Sequence, residues 1–260
     1  MMIRINQVSK SFDCGLTYAV RQVDLEVEAG EFLVLVGESG CGKTTLLKMI
    51  NRLVESTEGC ILVEDRDIST VDAVALRRGI GYVFQGIGLF PHMTVAENVA
   101  VVPRLLNWDN SVIQSRVDEL LQLVGLSPEV HRGRKPDELS GGQRQRVGLA
   151  RALAGGPKIM LMDEPFGALD PMTRSDLQAE FKRMQQTLKL TVVLVTHDMT
   201  EALLLADRIA VMKQGNLIAT GSPRQMMVHP SHPYVTALME TPKRQADRVE
   251  FILRPEGKIL

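Results

Sequence analysis

Nine consecutive residues have the composition and spacing of a phosphate-binding loop. They are Gly37, Glu38, Ser39, Gly40, Cys41, Gly42, Lys43, Thr44 and Thr45. The stretch fits the pattern G-x-x-x-x-G-K-[ST], in which glycines let successive backbone N–H groups point at phosphate oxygens. The lysine adds a mobile positive charge, and the Thr44 hydroxyl suits a magnesium ion (Mg2+). We therefore predict a nucleotide-binding site formed by these residues.

The segments on either side of the loop have the patterns that such a site needs. An apolar run within 31–36 precedes it and is typical of a strand buried in a parallel sheet. After the loop, apolar residues recur at helical spacing at Leu46, Leu47, Met49, Ile50 and Leu53. The order of strand, loop and helix favours a phosphate site over a turn that only caps a helix.

Polar side chains follow other predicted buried strands. Asp163 and Glu164 end one strand, and Gln85 and His197 each come just after another. Open α/β sheets bind ligands at the carboxyl ends of their strands. Asp163 is predicted to bind Mg2+ together with Thr44, and Gln85 to bridge the metal and an attacking water. Glu164 is predicted to orient or deprotonate that water, and His197 to hydrogen-bond the γ-phosphate.

A second glycine-containing stretch begins a predicted helix at Ser140, Gly141, Gly142 and Gln143. Its serine hydroxyl and free backbone N–H groups form a second candidate anion site. One loop cannot wrap the same phosphate from both sides, so we expect two chains to pair head to tail, each lending this stretch to the other's nucleotide. The charges nearby are interpreted as a solvated face, which predicts no nucleic-acid partner: Arg132, Arg134, Lys135, Arg144 and Arg146.

The hydrophobic pattern divides the chain into an α/β core and an inserted helical region. The core is predicted at about 1–90 and 157–240, and the helical insertion at about 91–156. Residues 241–260 are assigned to a C-terminal tail. The fold class is therefore α/β, with a small antiparallel sheet ahead of the phosphate loop.

Local signals add three expectations within this frame. Asp170 followed by Pro171 predicts a helix start, with the carboxylate as its N-cap. The pattern in 208–220 predicts a closing hairpin whose two strands are joined at Gln214 and Gly215. Phe12, the aromatic residue ahead of the phosphate loop, suits either stacking on an adenine ring or filling the core, and the residues alone leave both open.

Composition restricts the class of protein further. The 260 residues are 45% hydrophobic and 23% charged, with a net charge of −1, which gives no general attraction to nucleic acid or to an anionic membrane. No apolar run reaches the roughly 18 residues that would span a bilayer, and the N-terminus lacks the apolar part of a secretory signal. The three cysteines lack metal-ligand spacing. We expect a cytoplasmic protein with reduced thiols.

In their order, these motifs resemble the nucleotide-binding subunits of ABC transporters over nearly the whole chain. The matching motifs are Walker A (37–45), the Q-loop glutamine Gln85, the signature (139–143), Walker B (159–163) with Glu164, the D-loop (168–170) and the switch His197. The resemblance implies a RecA-like P-loop NTPase core with an α-helical subdomain. It also implies a homodimer or ATPase pair with two ATP molecules between the chains, adenine stacking by Phe12, and a nucleotide contact for Asp170.

The segment from Phe84 to Val99 is similar to bacterial importer ATPases for osmoprotectants such as glycine betaine and choline. Gly86-Ile87-Gly88 after the Q-loop glutamine is the most telling detail. Such a subunit would work at the cytoplasmic face of the inner membrane, peripheral through permease subunits and served by an extracytoplasmic solute-binding protein. Many members carry tandem CBS domains after the core, and this chain shows none, so regulation through them is not expected here. The alternatives are a soluble ABC ATPase and an importer ATPase for another small solute such as an amino acid.

Apolar residues after Gln85 suggest how the nucleotide site is coupled to a permease. Ile87, Leu89 and Phe90 would be poor choices for a surface that faces only water. We expect them to line part of the groove that receives a cytoplasmic helix of the permease.

Overall fold

The computed structural model describes residues 1–253, which form two β-sheets and the helices packed around them. The strands are β1 (Ile3–Lys10), β2 (Val20–Val27), β3 (Phe32–Val36), β4 (Glu58–Val63), β5 (Arg66–Asp67), β6 (Ile80–Val83), β7 (Ile159–Asp163), β8 (Thr191–Val195), β9 (Arg208–Lys213) and β10 (Asn216–Gly221). The helices are α1 (Lys43–Ile50), α2 (Ala73–Gly79), α3 (Val95–Leu105), α4 (Asn110–Leu123), α5 (Pro128–His131), α6 (Gly141–Leu153), α7 (Pro171–Leu188), α8 (Met199–Leu205), α9 (Pro223–Val228) and α10 (Pro233–Leu253).

The larger sheet brings the predicted site residues to one edge. Its strand order is β10-β9-β3-β8-β7-β6, and every neighbouring pair is parallel except β9 with β10. In register, Val195 of β8 lies between Leu35 of β3 and Asp163 of β7. The phosphate loop, Asp163, Glu164 and His197 therefore leave the sheet at its carboxyl edge, as the sequence pattern predicts.

Alternate residues of β3 point to opposite faces of the sheet and build two cores. Phe32, Val34 and Val36 belong to one cluster of buried side chains, and Leu33 and Leu35 belong to the other. The first cluster continues into the helical insertion and α7, and the second into α1 and the smaller sheet. Burial on both faces explains why β3, β7 and β8 read as continuous apolar runs.

The smaller sheet is antiparallel, with the strand order β2-β1-β4-β5. The alternating pattern in 23–28 matches the burial of β2, whose Val23, Leu25 and Val27 face the core. The predicted small antiparallel sheet is confirmed: β1 and β2 pair ahead of the phosphate loop, and β4 and β5 extend the sheet.

The helical insertion is also confirmed. Helix α3 starts with a reciprocal capping box between Thr94 and Glu97, and α3, α4 and α6 pack on one another through buried Val99, Leu120 and Val147. The predicted hairpin is present as β9 and β10, and the predicted cap is present as Asp170 at the start of α7.

Helix α10 is the main element that the sequence reading missed. It runs from Pro233 to Leu253, across the position at which we placed the start of a C-terminal tail, and 254–260 lie outside the described residues. The domain limits at 90, 156 and 240 stay a prediction.

None of the helices between residues 1 and 253 combines the length and the apolar character that crossing a membrane requires.

Candidate functional site

The phosphate loop passes close to the backbone at Met212 of β9 and at Ala19, and its glycines permit this. Gly37 and Gly42 have φ values of 148° and 105°. A Cβ atom on Gly37 would overlap the carbonyl oxygen of Met212, and one on Gly42 would overlap that of Ala19. Helix α1 starts directly after Gly42, so its free N–H groups and positive dipole end face the loop.

Lys43 lies inside the curve of this loop. Its Nζ donates to the carbonyl oxygens of Gly37 and Glu38, each at 2.8 Å, and lies 3.7 Å from Cys41 Sγ. The side chain is almost fully buried, with 6% exposed. The only full positive charge in the nine-residue loop is thus held where backbone N–H groups converge, which suits a polyanion.

Thr44 and Asp163 form the oxygen pair that the sequence predicts for a metal. The Thr44 hydroxyl donates to Asp163 Oδ1 at 2.8 Å. Burial raises the pKa of the Asp163 carboxyl, the adjacent Glu164 charge raises it further, and the Thr44 hydrogen bond and the charges of Lys48 and Lys43 oppose this. An added cation at this position would favour the ionised carboxylate.

Glu164 joins the ends of three strands. Its backbone N–H donates to Val195 O at 2.9 Å, and its own φ is 45°, in the left-handed region. Gln85 Nε2 donates to Glu164 Oε2 at 3.0 Å, and His197 Nδ1 lies 3.2 Å from Glu164 Oε1. The structure therefore groups Gln85, Glu164 and His197 around one carboxylate. Gln85 is hydrogen-bonded to Glu164, and no hydrogen bond within residues 1–253 joins it to Thr44 or Asp163.

A cavity of about 610 Å³ opens beside this group. Gln85, Glu164 and His197 line one side, and Arg144 and Gln145 of α6 line another. The cavity thus lies between the core and the helical insertion, next to the candidate catalytic side chains.

The signature stretch is capped within its own helix. Ser140 Oγ accepts from the Gln143 N–H at 3.2 Å, and Gln143 Oε1 accepts from the Ser140 N–H at 3.0 Å. A Cβ on Gly142 would crowd Thr173 of α7. Asp170 acts as the N-cap of α7 by accepting from the Thr173 N–H at 3.0 Å. Among the described residues, no hydrogen bond connects 140–143 or Asp170 with the phosphate loop.

The position of Phe12 settles one of the two interpretations left open by the sequence. Its side chain is 68% exposed, and Lys10 Nζ lies 5.0 Å from the ring centroid. Core filling is excluded, and the ring remains available for stacking.

One contact to the phosphate loop was missed in the sequence reading. The Glu38 N–H donates to the Tyr234 hydroxyl at 3.1 Å, and Lys213 Nζ lies 4.7 Å from the Tyr234 ring centroid. Tyr234 belongs to the first turn of α10, which is 196 residues from Glu38 in the chain. Neither spacing nor periodicity could have paired them.

The apolar residues after Gln85 line two adjoining cavities. Phe90 is 40% exposed and lines a cavity of about 220 Å³ with Arg77, Arg78 and Phe84. Ile87 and Leu89 line the larger cavity beside Glu164. Gly88 lines both cavities, so the two lie next to each other, and a groove lined by Ile87, Leu89 and Phe90 stays a prediction.

Comparison with known proteins agrees with this geometry. The sequence profile of the ABC transporter family matches residues 20–167. The chain is 51% identical to the "Glycine betaine/carnitine/choline transport ATP-binding protein OpuCA" of Bacillus subtilis (strain 168), covering 90% of this chain and 61% of that protein. It is 47% identical to the "Choline transport ATP-binding protein OpuBA" of the same organism, covering 98% of this chain and 68% of that protein.

A solved structure adds the fold. The ATP-binding cassette MJ0796, in a dimeric post-hydrolysis state bound to ADP and Pi, superposes with a TM-score of 0.76 at 35% identity. The match covers 86% of this chain and 99% of that one.

Against OpuCA, by contrast, the chain spans less than two thirds of the relative's length. The predicted fold and resemblance are confirmed, and the chain belongs to the ABC transporter family.

Proposed function

We propose that this chain is the ATP-binding and ATP-hydrolysing subunit of an ABC importer for an osmoprotectant such as glycine betaine or choline. The observation that carries the proposal is the grouping at one sheet edge of Lys43 in its loop, the Thr44–Asp163 pair and the Gln85–Glu164–His197 group. One group suits phosphate binding, one suits a metal, and one suits activation of water.

The phosphate loop and Phe12 are proposed to bind the nucleotide. Lys43 would exchange its two carbonyl contacts for phosphate oxygens, while the N–H groups at the start of α1 complete the cradle. The exposed Phe12 ring would stack on adenine. The remaining loop residues, Glu38 to Thr45, would contribute backbone groups.

The Thr44–Asp163 pair fits Mg2+ in its chemistry. Both atoms are oxygens, the donors that Mg2+ prefers. Within residues 1–253 no cluster of three His, Cys, Asp or Glu side chains could hold a metal ion by itself, which fits an ion completed by phosphate oxygens and water. Gln85 is the third proposed ligand. The ion, when bound, would neutralise charge on the phosphates.

Glu164 is the proposed catalytic base. Its carboxylate is only partly exposed, at 23%, and is held from two sides by Gln85 and His197. These contacts fix the direction of its oxygens, which suits a group that must orient a water molecule. His197, whose side chain is 65% exposed, can turn toward a γ-phosphate at the surface.

A second chain is proposed to complete the site. Ser140, Gly141, Gly142 and Gln143 form a helix start that, within residues 1–253, makes no hydrogen bond to the phosphate loop, and a head-to-tail pair would place it over the partner's nucleotide. Asp170 would lie at the same interface. The dimeric state of the cassette MJ0796 supports this arrangement by similarity.

The cavity beside Phe90 is the proposed permease contact. Two half-exposed aromatic rings, Phe84 and Phe90, border it together with Arg77 and Arg78. Apolar rings beside cations suit an amphipathic helix that carries acidic residues. Through that permease the subunit would lie at the cytoplasmic face of the inner membrane and would be supplied by a solute-binding protein. The substrate class follows from the named relatives alone.

The decisive experiment compares Glu164→Gln with the wild-type chain. Glutamine keeps the shape but loses the charge, so hydrolysis of Mg-ATP should fall by roughly 100-fold or more while nucleotide binding persists. The variant should then accumulate as an ATP-bound dimer, measured by light scattering. Normal turnover would contradict the role of Glu164.

The matched control places a bulky cation in the signature stretch. Ser140→Arg, introduced into Glu164→Gln, should abolish the dimer and leave binding of a fluorescent ATP analogue unchanged. A dimer that forms regardless would exclude the shared site.

The permease contact has its own test. Phe90→Glu should prevent assembly with the permease and spare ATP binding by the isolated chain. Leu89→Glu, which places the same charge at the cavity beside Glu164, is the variant with which its assembly is compared. Equal assembly of Phe90→Glu and wild type would contradict the proposed contact.

A further inference from the structure

The three residues after Gln85 form a strained turn. Gly86, Ile87 and Gly88 all have positive φ, at 127°, 67° and 61°. The Gly88 N–H donates to Gly86 O at 2.7 Å, which closes a γ-turn around Ile87. Positive φ at the centre of a γ-turn is rare, and a β-branched side chain makes it worse. Such a conformation persists only where its surroundings impose it.

Arg151 of α6 is the group that imposes it. Its Nη2 donates to Ile87 O and its Nη1 to Gly88 O, both at 2.7 Å. The side chain is 8% exposed, and among the described residues no carboxylate lies within ion-pair distance of it. A buried guanidinium is therefore committed to two consecutive carbonyl groups of the turn.

Two further contacts show how closely the turn is fitted. A Cβ atom on Gly148, one turn before Arg151, would lie 3.0 Å from Ile87 Cγ2. On the far side, fully buried Asn98 accepts from the Phe90 N–H at 2.8 Å and donates to Phe90 O at 3.1 Å. The turn is thus fixed on α6 at one end and on α3 at the other.

The turn lies between two parts of the candidate site. Gln85, immediately before it, donates to Glu164. Arg151 lies on the helix that starts with the signature stretch, and the helix rise places the two about 16 Å apart along one rigid element. The two carbonyl groups therefore connect the segment after Gln85 to the helix that begins at the signature stretch.

We infer that Arg151 is a positioning residue, which holds the turn at Ile87 and thereby couples Gln85 to the signature helix of the same chain. The inference rests on the proposed function, because it concerns ATP hydrolysis. Arg151 touches no reacting atom in this account and acts through Gln85.

The test is a double-mutant cycle on the full 260-residue chain. Arg151→Met keeps most of the stem and removes the donors, so turnover of Mg-ATP should fall roughly 10-fold with little change in the Kd of a fluorescent ATP analogue. Gln85→Ala should have a comparable effect. Because both act on one element, the double variant should be no slower than Gln85→Ala alone.

The outcomes separate this role from a structural one. If the two losses multiply, Arg151 does not act through Gln85 and the inference is overturned. Arg151→Lys keeps the charge but cannot bridge both carbonyl groups, so it should behave as Arg151→Met. Loss of the cooperative thermal transition in both variants would make Arg151 a folding residue and would also overturn it.

Two further variants sharpen the result. Ile87→Gly removes the strain at positive φ, so adding Arg151→Met to it should cost less turnover than Arg151→Met costs alone. Arg183→Met, on the exposed face of α7, is the matched control and should leave turnover unchanged. Absence of hydrolysis by the wild-type chain would count against the proposed function, whereas normal wild-type turnover with a multiplicative cycle counts against this inference alone.

Discussion

The two halves of the candidate site differ in how far the chain completes them. Lys43 and Asp163 are buried, at 6% and 5% exposed, and their polar atoms have partners within the loop and β7. Gln85 and His197 are exposed and are held only through Glu164. The binding half is thus preorganised by the sheet, while the catalytic half meets solvent and needs another surface to exclude water.

This difference follows from where each half leaves the sheet. β3 and β7 are buried on both faces, so the residues at their carboxyl ends are held in fixed positions. The signature stretch that would cover the catalytic half belongs to the helical insertion and is capped on itself. This difference fits the proposed arrangement, in which one chain binds the nucleotide and a second chain completes the site for hydrolysis.

The largest effect should come from breaking the binding half. Lys43→Ala removes the charge inside the phosphate loop and should weaken binding of Mg-ATP by on the order of 100-fold, since hydrogen bonds to charged groups are the strongest in proteins. Equilibrium titration with a fluorescent ATP analogue measures this.

His197→Ala is the matched change in the catalytic half. It should leave the Kd within about 3-fold of wild type and lower turnover by roughly 10- to 100-fold. Equal losses of binding in the two variants would remove the distinction between the halves.

A smaller effect is expected at Asp170, which has a structural task before any contact with a partner. Asp170→Ala removes the N-cap of α7 and should lower Tm by roughly 3 °C. Asp170→Asn keeps a side-chain acceptor and should melt as the wild type does. If Asp170→Asn lost turnover without a change in Tm, the Asp170 carboxylate would belong to the catalytic half of the site and would not serve only as a helix cap.

The smallest effect is expected at Glu201, in the helix that follows His197. Glu201 is buried in α8, next to Thr196, and accepts from Gln178 Nε2 at 3.1 Å. Burial raises the pKa of the Glu201 carboxyl, the nearby Asp198 charge adds to this, and hydrogen bonds from Thr196 and Gln178 and the charge of Arg174 oppose it.

The direction of the pH effect follows from that shift. A raised pKa means that the folded state binds the proton more tightly, so stability declines as pH rises from the ordinary glutamate pKa through the raised one. Glu201→Gln should remove this decline and make the chain slightly more stable near pH 7. Denaturant unfolding between pH 4 and pH 8 measures it; an unchanged slope would mean that Glu201 carries no such cost.

Local chemistry is what the sequence made predictable. The phosphate loop, the strand ends at Asp163 and Glu164, and the cap at Asp170 each depend on a few neighbouring residues. A buried strand, a glycine-rich loop and an N-cap all leave a pattern that can be read without knowing the fold.

Contacts between distant segments left no such pattern. Arg151 meets the carbonyl groups of Ile87 and Gly88 from more than 60 residues away, and Tyr234 meets Glu38 from 196 residues away. Hydrogen bonds to backbone carbonyl and amide groups depend on position and place little demand on the type of the partner residue.

The backbone at Glu164 has a consequence for anyone who selects variants of this chain. With φ at 45°, position 164 favours glycine or asparagine over glutamate on conformational grounds alone. A library screened only for thermal stability should therefore enrich these residues at position 164 and discard the proposed catalytic carboxylate in the same step. Selection for folding stability and selection for ATP turnover would therefore favour different residues at position 164.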